Sequence, residues 1–248
     1  MAIGYLTYDI QALKACSLTC YSWYIVAVPH LHHTFVFRGI DRAGLKPLSA
    51  RHALGLLPLV KDLRIPQPPS QPRWFLPQSL ARRDSRHFFA FTNVQSLTVQ
   101  NLDIRSFIPR LERHFRHFSP TLRSLTLEAP GCSSRQLSHF FSLFPNLDNI
   151  EVRAFVSDGT GTPDHGLVPF STPKLQGRLT LSLFDAVETW EDLIASCGLR
   201  FRSIYLCLVS NSAPALLAAC AETLETLRIE PSSEFGTGSP IDFTVNRS

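Results

Sequence analysis

One short phrase recurs along this chain and limits what it can fold into: apolar-x-x-apolar-x-apolar. It reads Val60-Leu63-Ile65, Val94-Leu97-Val99, Leu122-Leu125-Leu127, Leu147-Ile150-Val152, Phe201-Ile204-Leu206 and Leu224-Leu227-Ile229. Leu175, Leu179 and Leu181 form a copy stretched by one residue. The middle positions 63, 97, 125, 150, 179, 204 and 227 lie 34, 28, 25, 29, 25 and 23 residues apart. A strand-like phrase at such a period is the mark of a solenoid, in which neighbouring units stack to bury a shared apolar side. Solenoids present long side-chain-lined surfaces suited to binding.

Helical patterns fill the gaps. Ser134 precedes Leu137, Phe140, Phe141 and Phe144, spaced as one face of a helix. Asp185 precedes Val187, Trp190, Leu193, Ile194 and Cys197, and Gly198 stands where a C-terminal cap belongs. Pro214 opens a further segment carrying Leu216, Leu217 and Cys220. Strand-then-helix units of this length place their strands in one parallel sheet on the concave face. The expected class is therefore an α/β solenoid over residues 41–231, preceded by a helical segment at 1–40. A flexible tail at 232–248 holds one more possible strand, Ile241 to Val245. Five prolines at residues 66–77 exclude a helix or central strand there. That stretch reads as a loop, with Trp74 and Phe75 as its recognition candidates. Residues 157–166, rich in Gly and Asp, read as a second loop.

In residues 1–40, Asp9 is placed to cap a helix starting at Ile10. Ile10, Leu13, Cys16, Cys20 and Trp23 then form one stripe, with Lys14, Leu18 and Tyr21 on the other side and Pro29 ending or interrupting the helix. Phe35 and Phe37 follow in a short extended or turn segment, and a second helix is expected near residues 49–57.

Strand alternation decides what faces outward. With the phrase residues inward, the outward rows include Asp62, Arg64, Thr126, Glu128, Glu151, Arg153, Arg178, Tyr205, Arg228 and Glu230. Glu128, Glu151, Arg153, Arg178, Tyr205 and Arg228 come from five successive strands and are the candidate substrate-binding residues. Their mixed charges and single aromatic suit a folded protein partner.

Other chemistries find less support. The net charge of +4 demands neither nucleic acid nor a membrane surface. The basic stretch Arg105 to His117 reads as the outer face of a repeat helix, with nucleic-acid binding the weaker alternative. Cys16 and Cys20, four apart on a helix, read as small core residues rather than zinc ligands. The six cysteines form no compact framework, and neither a secretory leader nor an apolar run long enough to span a membrane is visible. A cytoplasmic or nuclear location with free thiols is expected. The run at 158–162 lacks the Lys-Ser/Thr of a phosphate loop, and no catalytic or cofactor motif is present, so no enzyme activity, cofactor or metal is expected.

The stretch Leu13, Lys14, Ala15, Cys16, Ser17, Leu18, Cys20, Ser22 and Trp23, followed by His33 to Ile40, resembles F-box-like proteins of the kind abundant in mushroom-forming fungi. Degenerate leucine-rich repeats commonly follow the box in such families. The resemblance implies a substrate receptor of a cullin-RING ubiquitin ligase. The box docks the adaptor protein, with Lys14, Leu18 and Tyr21 as the candidate adaptor-binding residues, and the repeats hold an unknown protein substrate. Met1 to Tyr8 stand where an F-box opens with a Leu-Pro segment and an apolar helix, so the box reads as partial and its adaptor contact as weak. A scaffold that has lost the adaptor is the alternative. The repeats also lack the Asn or Cys ladder expected at position nine of each phrase, which holds Leu102 in one unit and Pro130 in the next.

Overall fold

The structure is a computed structural model, and it describes residues 6, 9–37, 49–66, 89–101, 112, 115–132, 134–154, 175–182, 199–207, 213–230 and 241–244. Each of the seven phrases contributes a strand. These are β2 (Asp62–Ile65), β3 (Ser96–Gln100), β4 (Ser124–Glu128), β5 (Asn149–Arg153), β6 (Leu175–Ser182), β7 (Leu199–Cys207) and β8 (Thr226–Glu230). A further strand, β1 (Thr34–Val36), precedes them, and β9 (Ile241–Thr244) follows. The strands pair in chain order from β1 to β9 in one open sheet, parallel from β1 to β8. The sheet thus begins with β1, ahead of residue 41. The chain is an α/β protein with a repeat-like parallel sheet.

Register follows the phrase. Leu63, Leu97, Leu125, Ile150, Leu179, Ile204 and Leu227 lie side by side across β2 to β8. All the phrase residues are buried except Leu227 and Ile229, which are partly covered. Those two lie on the last parallel strand. β9 runs antiparallel to β8. The ten residues between them fall short of the dozen or so that a parallel crossover needs.

The helices α3 (Ser134–Ser142) and α4 (Ala213–Cys220) occupy their expected places. Leu137, Phe140, Phe141 and Phe144 join the same core cluster as the strands, as do Leu216 and Cys220. Phe115 and Phe118 are buried in it too, with residues Arg116–Phe118 in a 3₁₀ turn. Phe35 and Phe37 extend the cluster to β1. Residues 49–53 are helical, within the stretch expected at 49–57, and the helical turns do not continue to 57. The proline-rich stretch from residue 67, most of the basic stretch at 105–117, the loop at 157–166 and the segment 185–198 lie outside the described residues.

The N-terminal segment departs from the sequence reading. Asp9 caps α1 (Ile10–Thr19), its carboxylate accepting from the Ala12 N–H at 2.9 Å. The helix then breaks at Cys20, whose backbone is extended, and α2 (Tyr21–Leu31) starts anew. The expected stripe is split as a result. Leu13 is buried and Cys16 half-buried, whereas Ile10, Cys20 and Trp23 are exposed. Cys20 is therefore not a core residue. Pro29 lies inside α2, two residues before its end.

An inter-unit ladder exists, but at the other end of the phrase. The residue just before the first apolar position reaches back to a carbonyl of the preceding unit. Asn93 Nδ2 donates to Pro58 O at 2.8 Å, and Asn146 Nδ2 to Pro120 O at 3.4 Å. Thr121 Oγ1 donates to Val94 O at 2.8 Å, and Thr223 Oγ1 to Phe201 O at 3.1 Å. Two residue types share the task, which hides the ladder from a search for one recurring letter.

Two substitutions test the packing. Leu125→Ala and Leu206→Ala should each cost about 2–5 kcal/mol in urea or thermal melts, the range for truncating a buried leucine. A loss below about 0.5 kcal/mol at both sites overturns the assigned facing. Gly177, at the stretched phrase, has φ +94°, and a Cβ there would fall inside the Asp148 carbonyl group. That carbonyl accepts from the Arg178 N–H at 2.7 Å. Gly177→Ala should cost about 2–5 kcal/mol, combining backbone strain with a clash that only main-chain movement relieves. Gly55→Ala, at φ +65° in open space, should cost about 1–2 kcal/mol. Equal losses at the two glycines contradict the close approach at β6.

Candidate functional site

The face of the sheet opposite the core carries three polar rows, built by alternation and register together. The first runs Asp62, Ser96, Ser124, Asn149, Arg178, Ser203 and Thr226. The second runs Arg64, Thr98, Thr126, Glu151, Thr180, Tyr205 and Arg228. The third runs Gln100, Glu128, Arg153, Ser182, Cys207 and Glu230. All six candidate substrate residues stand on this face, distributed over β4 to β8 as expected. Adjacent strands lie about 4.8 Å apart, so five strands span roughly 19 Å. They occupy one patch although they range over a hundred positions of sequence.

Two charge networks divide the patch. In the first, the Arg153 guanidinium donates from Nε to Glu151 Oε1 at 2.8 Å and from Nη1 to Glu128 Oε1 at 3.0 Å. Gln100 Nε2 donates to the other oxygen of Glu128, and Thr126 Oγ1 to Glu151 Oε2 at 3.2 Å. One arginine thus ties β4 to β5, and Glu128 reaches back to β3. The bond to Glu151 is the main cause raising the Arg153 pKa above its ordinary value, with Glu128 adding to it. Arg153 is half exposed, and such surface pairs add about 0–1 kcal/mol to stability. The network orients side chains more than it holds the fold.

The second network joins β7 and β8. The Tyr205 hydroxyl donates to Glu230 Oε2 in a short hydrogen bond, and Arg228 Nη2 donates to Glu230 Oε1 at 2.9 Å. The Arg228 guanidinium also lies 5.5 Å from the centre of the Tyr205 ring. The phenol proton is held by the carboxylate, so the Tyr205 pKa is pushed up to about 12 and that of Glu230 is lowered. Glu230, outside the candidate set, is the acceptor on which Tyr205 and Arg228 converge. Its outward position on the phrase was visible in the sequence; its two donors, one of them on the neighbouring strand, were not.

Between the networks stands β6, bearing Arg178, Thr180 and Ser182. Arg178 is exposed, flanked in register by Asn149 and Ser203. At the far edge, Arg64 pairs with Asp62 at 2.8 Å, and this covers an acid expected to be solvated.

The adaptor candidates lie elsewhere. Lys14, Leu18 and Tyr21 are all exposed, Leu18 at 87% and Tyr21 at 76%. Leu13 and Ala27 form the centre of a small helical cluster that shares no buried residue with the sheet core. Trp23, Tyr24 and Ile25, not among the candidates, are exposed beside Tyr21. They were missed because a single long helix would have turned Trp23 toward the core. Among the described residues no group of three His, Cys, Asp or Glu side chains is placed to hold a metal ion. No described helix is long and apolar enough to cross a membrane.

Comparison with protein-family models, curated proteins and solved structures finds no match to this chain.

The Tyr205–Glu230 bond makes a pH prediction. Glu230 is the group with the lowered pKa, so its stabilising contribution is complete above the ordinary carboxylate range. It is lost as pH falls through the lower value of the folded protein. Tyr205 should ionise near pH 12, and Glu230→Gln should bring it down toward the ordinary value near 10. NMR titration of labelled tyrosine, assigned with Tyr205→Phe, measures both. A midpoint unchanged by Glu230→Gln rules out the bond.

Proposed function

We propose that this chain is a protein-interaction module resembling the substrate receptor of a cullin-RING ubiquitin ligase. In this reading the α1–α2 pair is an F-box-like segment that docks the adaptor. The sheet is an irregular leucine-rich-repeat array whose polar, concave face holds the protein to be ubiquitylated.

The observation that carries the reading is where the exposed apolar side chains stand. Ile10, Leu18, Tyr21, Trp23, Tyr24 and Ile25 are six of the nine large hydrophobic side chains exposed among the described residues. All six lie on two short helices with almost no core of their own. Water-exposed apolar clusters of this kind mark interaction sites, whereas isolated exposed residues do not. The polar sheet face is of the opposite character and suits a second, chemically different partner. Two surfaces of contrasting chemistry fit a protein that bridges an adaptor and a client.

Titrating the purified adaptor of a cullin-RING ligase onto the full chain tests this. Weak, saturable binding is expected. It should fall about tenfold or more in the Leu18→Asp, Tyr21→Ala double variant, the loss typical of central apolar anchors. Leu18 and Tyr21 are exposed, so the variant should keep its melting temperature. No binding at any adaptor concentration favours the interaction scaffold without adaptor contact.

A further inference from the structure

We propose that Arg178 receives a carboxylate, an Asp or Glu side chain of the protein partner, at the centre of the polar face. The proposal rests on the reading of that face as the partner-binding surface and assigns its chemistry.

Three observations carry it. First, Arg178 is the one charged side chain in the three rows that has no counter-charge among the described residues. Asp62 and Arg64 are paired, as are Glu128 and Glu151 with Arg153, and Glu230 with Arg228. Second, its neighbours in the row, Asn149 and Ser203, are neutral and able to donate hydrogen bonds. Thr180 is next but one along β6, on the same face. A guanidinium among neutral donors offers a planar fork that matches a carboxylate in two parallel bonds. Third, the charges on either side are already engaged, Glu128 and Glu151 with the single Arg153 and Glu230 with Arg228. A partner charge landing there must displace an existing pair, so its gain is small. A charge landing on Arg178 displaces only water.

The count of charges selects the ligand. One unpaired guanidinium balances one negative charge. A phosphate, close to two negative charges at neutral pH, calls for several cations. Here the nearest outward acid on β5, Glu151, is itself negative and committed to Arg153. A carboxylate is the better match.

The test selects a phage-displayed library of random twelve-residue peptides against the full chain and reads the sequences retained. Peptides released by the Tyr205→Ala, Arg228→Ala double variant are those on the polar face. Among these, one position should be enriched in Asp or Glu. Replacing that acid by its amide should weaken binding about tenfold or more. The same change should have no further effect on Arg178→Gln, because the pair is already broken. Arg178→Lys should retain part of the affinity, and Arg178→Glu should recover peptides with Lys or Arg at that position. Arg178 and Arg228 are exposed and Tyr205 is half-buried, and the folding of each variant is checked by its melting curve. Face-bound peptides with no acidic preference overturn the proposal and leave the binding face standing. Retention that neither variant alters overturns both. Tighter binding when phosphoserine replaces the acid overturns the carboxylate in favour of a phosphorylated partner.

Discussion

The stack of phrase residues on one side of the sheet is the interaction on which everything else depends. Leu63, Leu97, Leu125, Ile150, Leu179, Ile204 and Leu227 lie shoulder to shoulder across seven parallel strands. Each fully buried aliphatic side chain adds about 1.5–3 kcal/mol, so the rows together outweigh every polar contact on the opposite face. A slip of one residue at any strand would turn its apolar positions to water and its polar ones into the core. The register is held by that penalty. The Asn and Thr ladder before each phrase adds bonds of about 1 kcal/mol each, which locate the units rather than drive their stacking.

That division of labour frees the polar face. Because the core side supplies the stability, the outward residues tolerate variety, and they show it. The rows mix serines, threonines, amides, acids, arginines and one tyrosine, and none keeps a single residue type along its length. Their charge networks are partly exposed and contribute little to folding. They do fix the directions in which side chains point, which is what a specific partner requires. Arg153 and Glu230 each gather ligands from neighbouring strands, and Arg178 is left between them. The charges on both sides of Arg178 are engaged with one another, while Arg178 has no counter-charge among the described residues.

The helical pair follows a different logic. Its core is reduced to Leu13, Ala27 and the partly buried residues around them, and its apolar side chains face outward. In a small two-helix unit the area buried within the pair is too little for much independent stability. A partner that covers Leu18, Tyr21 and the aromatic residues of α2 would complete the burial that the segment lacks by itself.

Alternation and spacing are local properties, and they made most of the sheet legible from the sequence. The seven strands, their inward residues, the outward placement of the six candidate residues and the helices at 134–142 and 213–220 all follow from where apolar residues fall. The strand at Ile241 was visible for the same reason, although its direction depended on the length of the connection before it. Other features depend on contacts between residues far apart in the chain. The 10–23 stripe was consistent with one helix, but the backbone turns at Cys20, and this sends Trp23 to the surface. Gly177 looked like an inserted letter until its close approach to Asp148 became visible. Which acid holds which arginine was equally hidden. Glu128, Glu151 and Arg153 come together only because β4 and β5 align residues 25 positions apart. Periodicity records which way a side chain points; only the tertiary fold decides what it meets there.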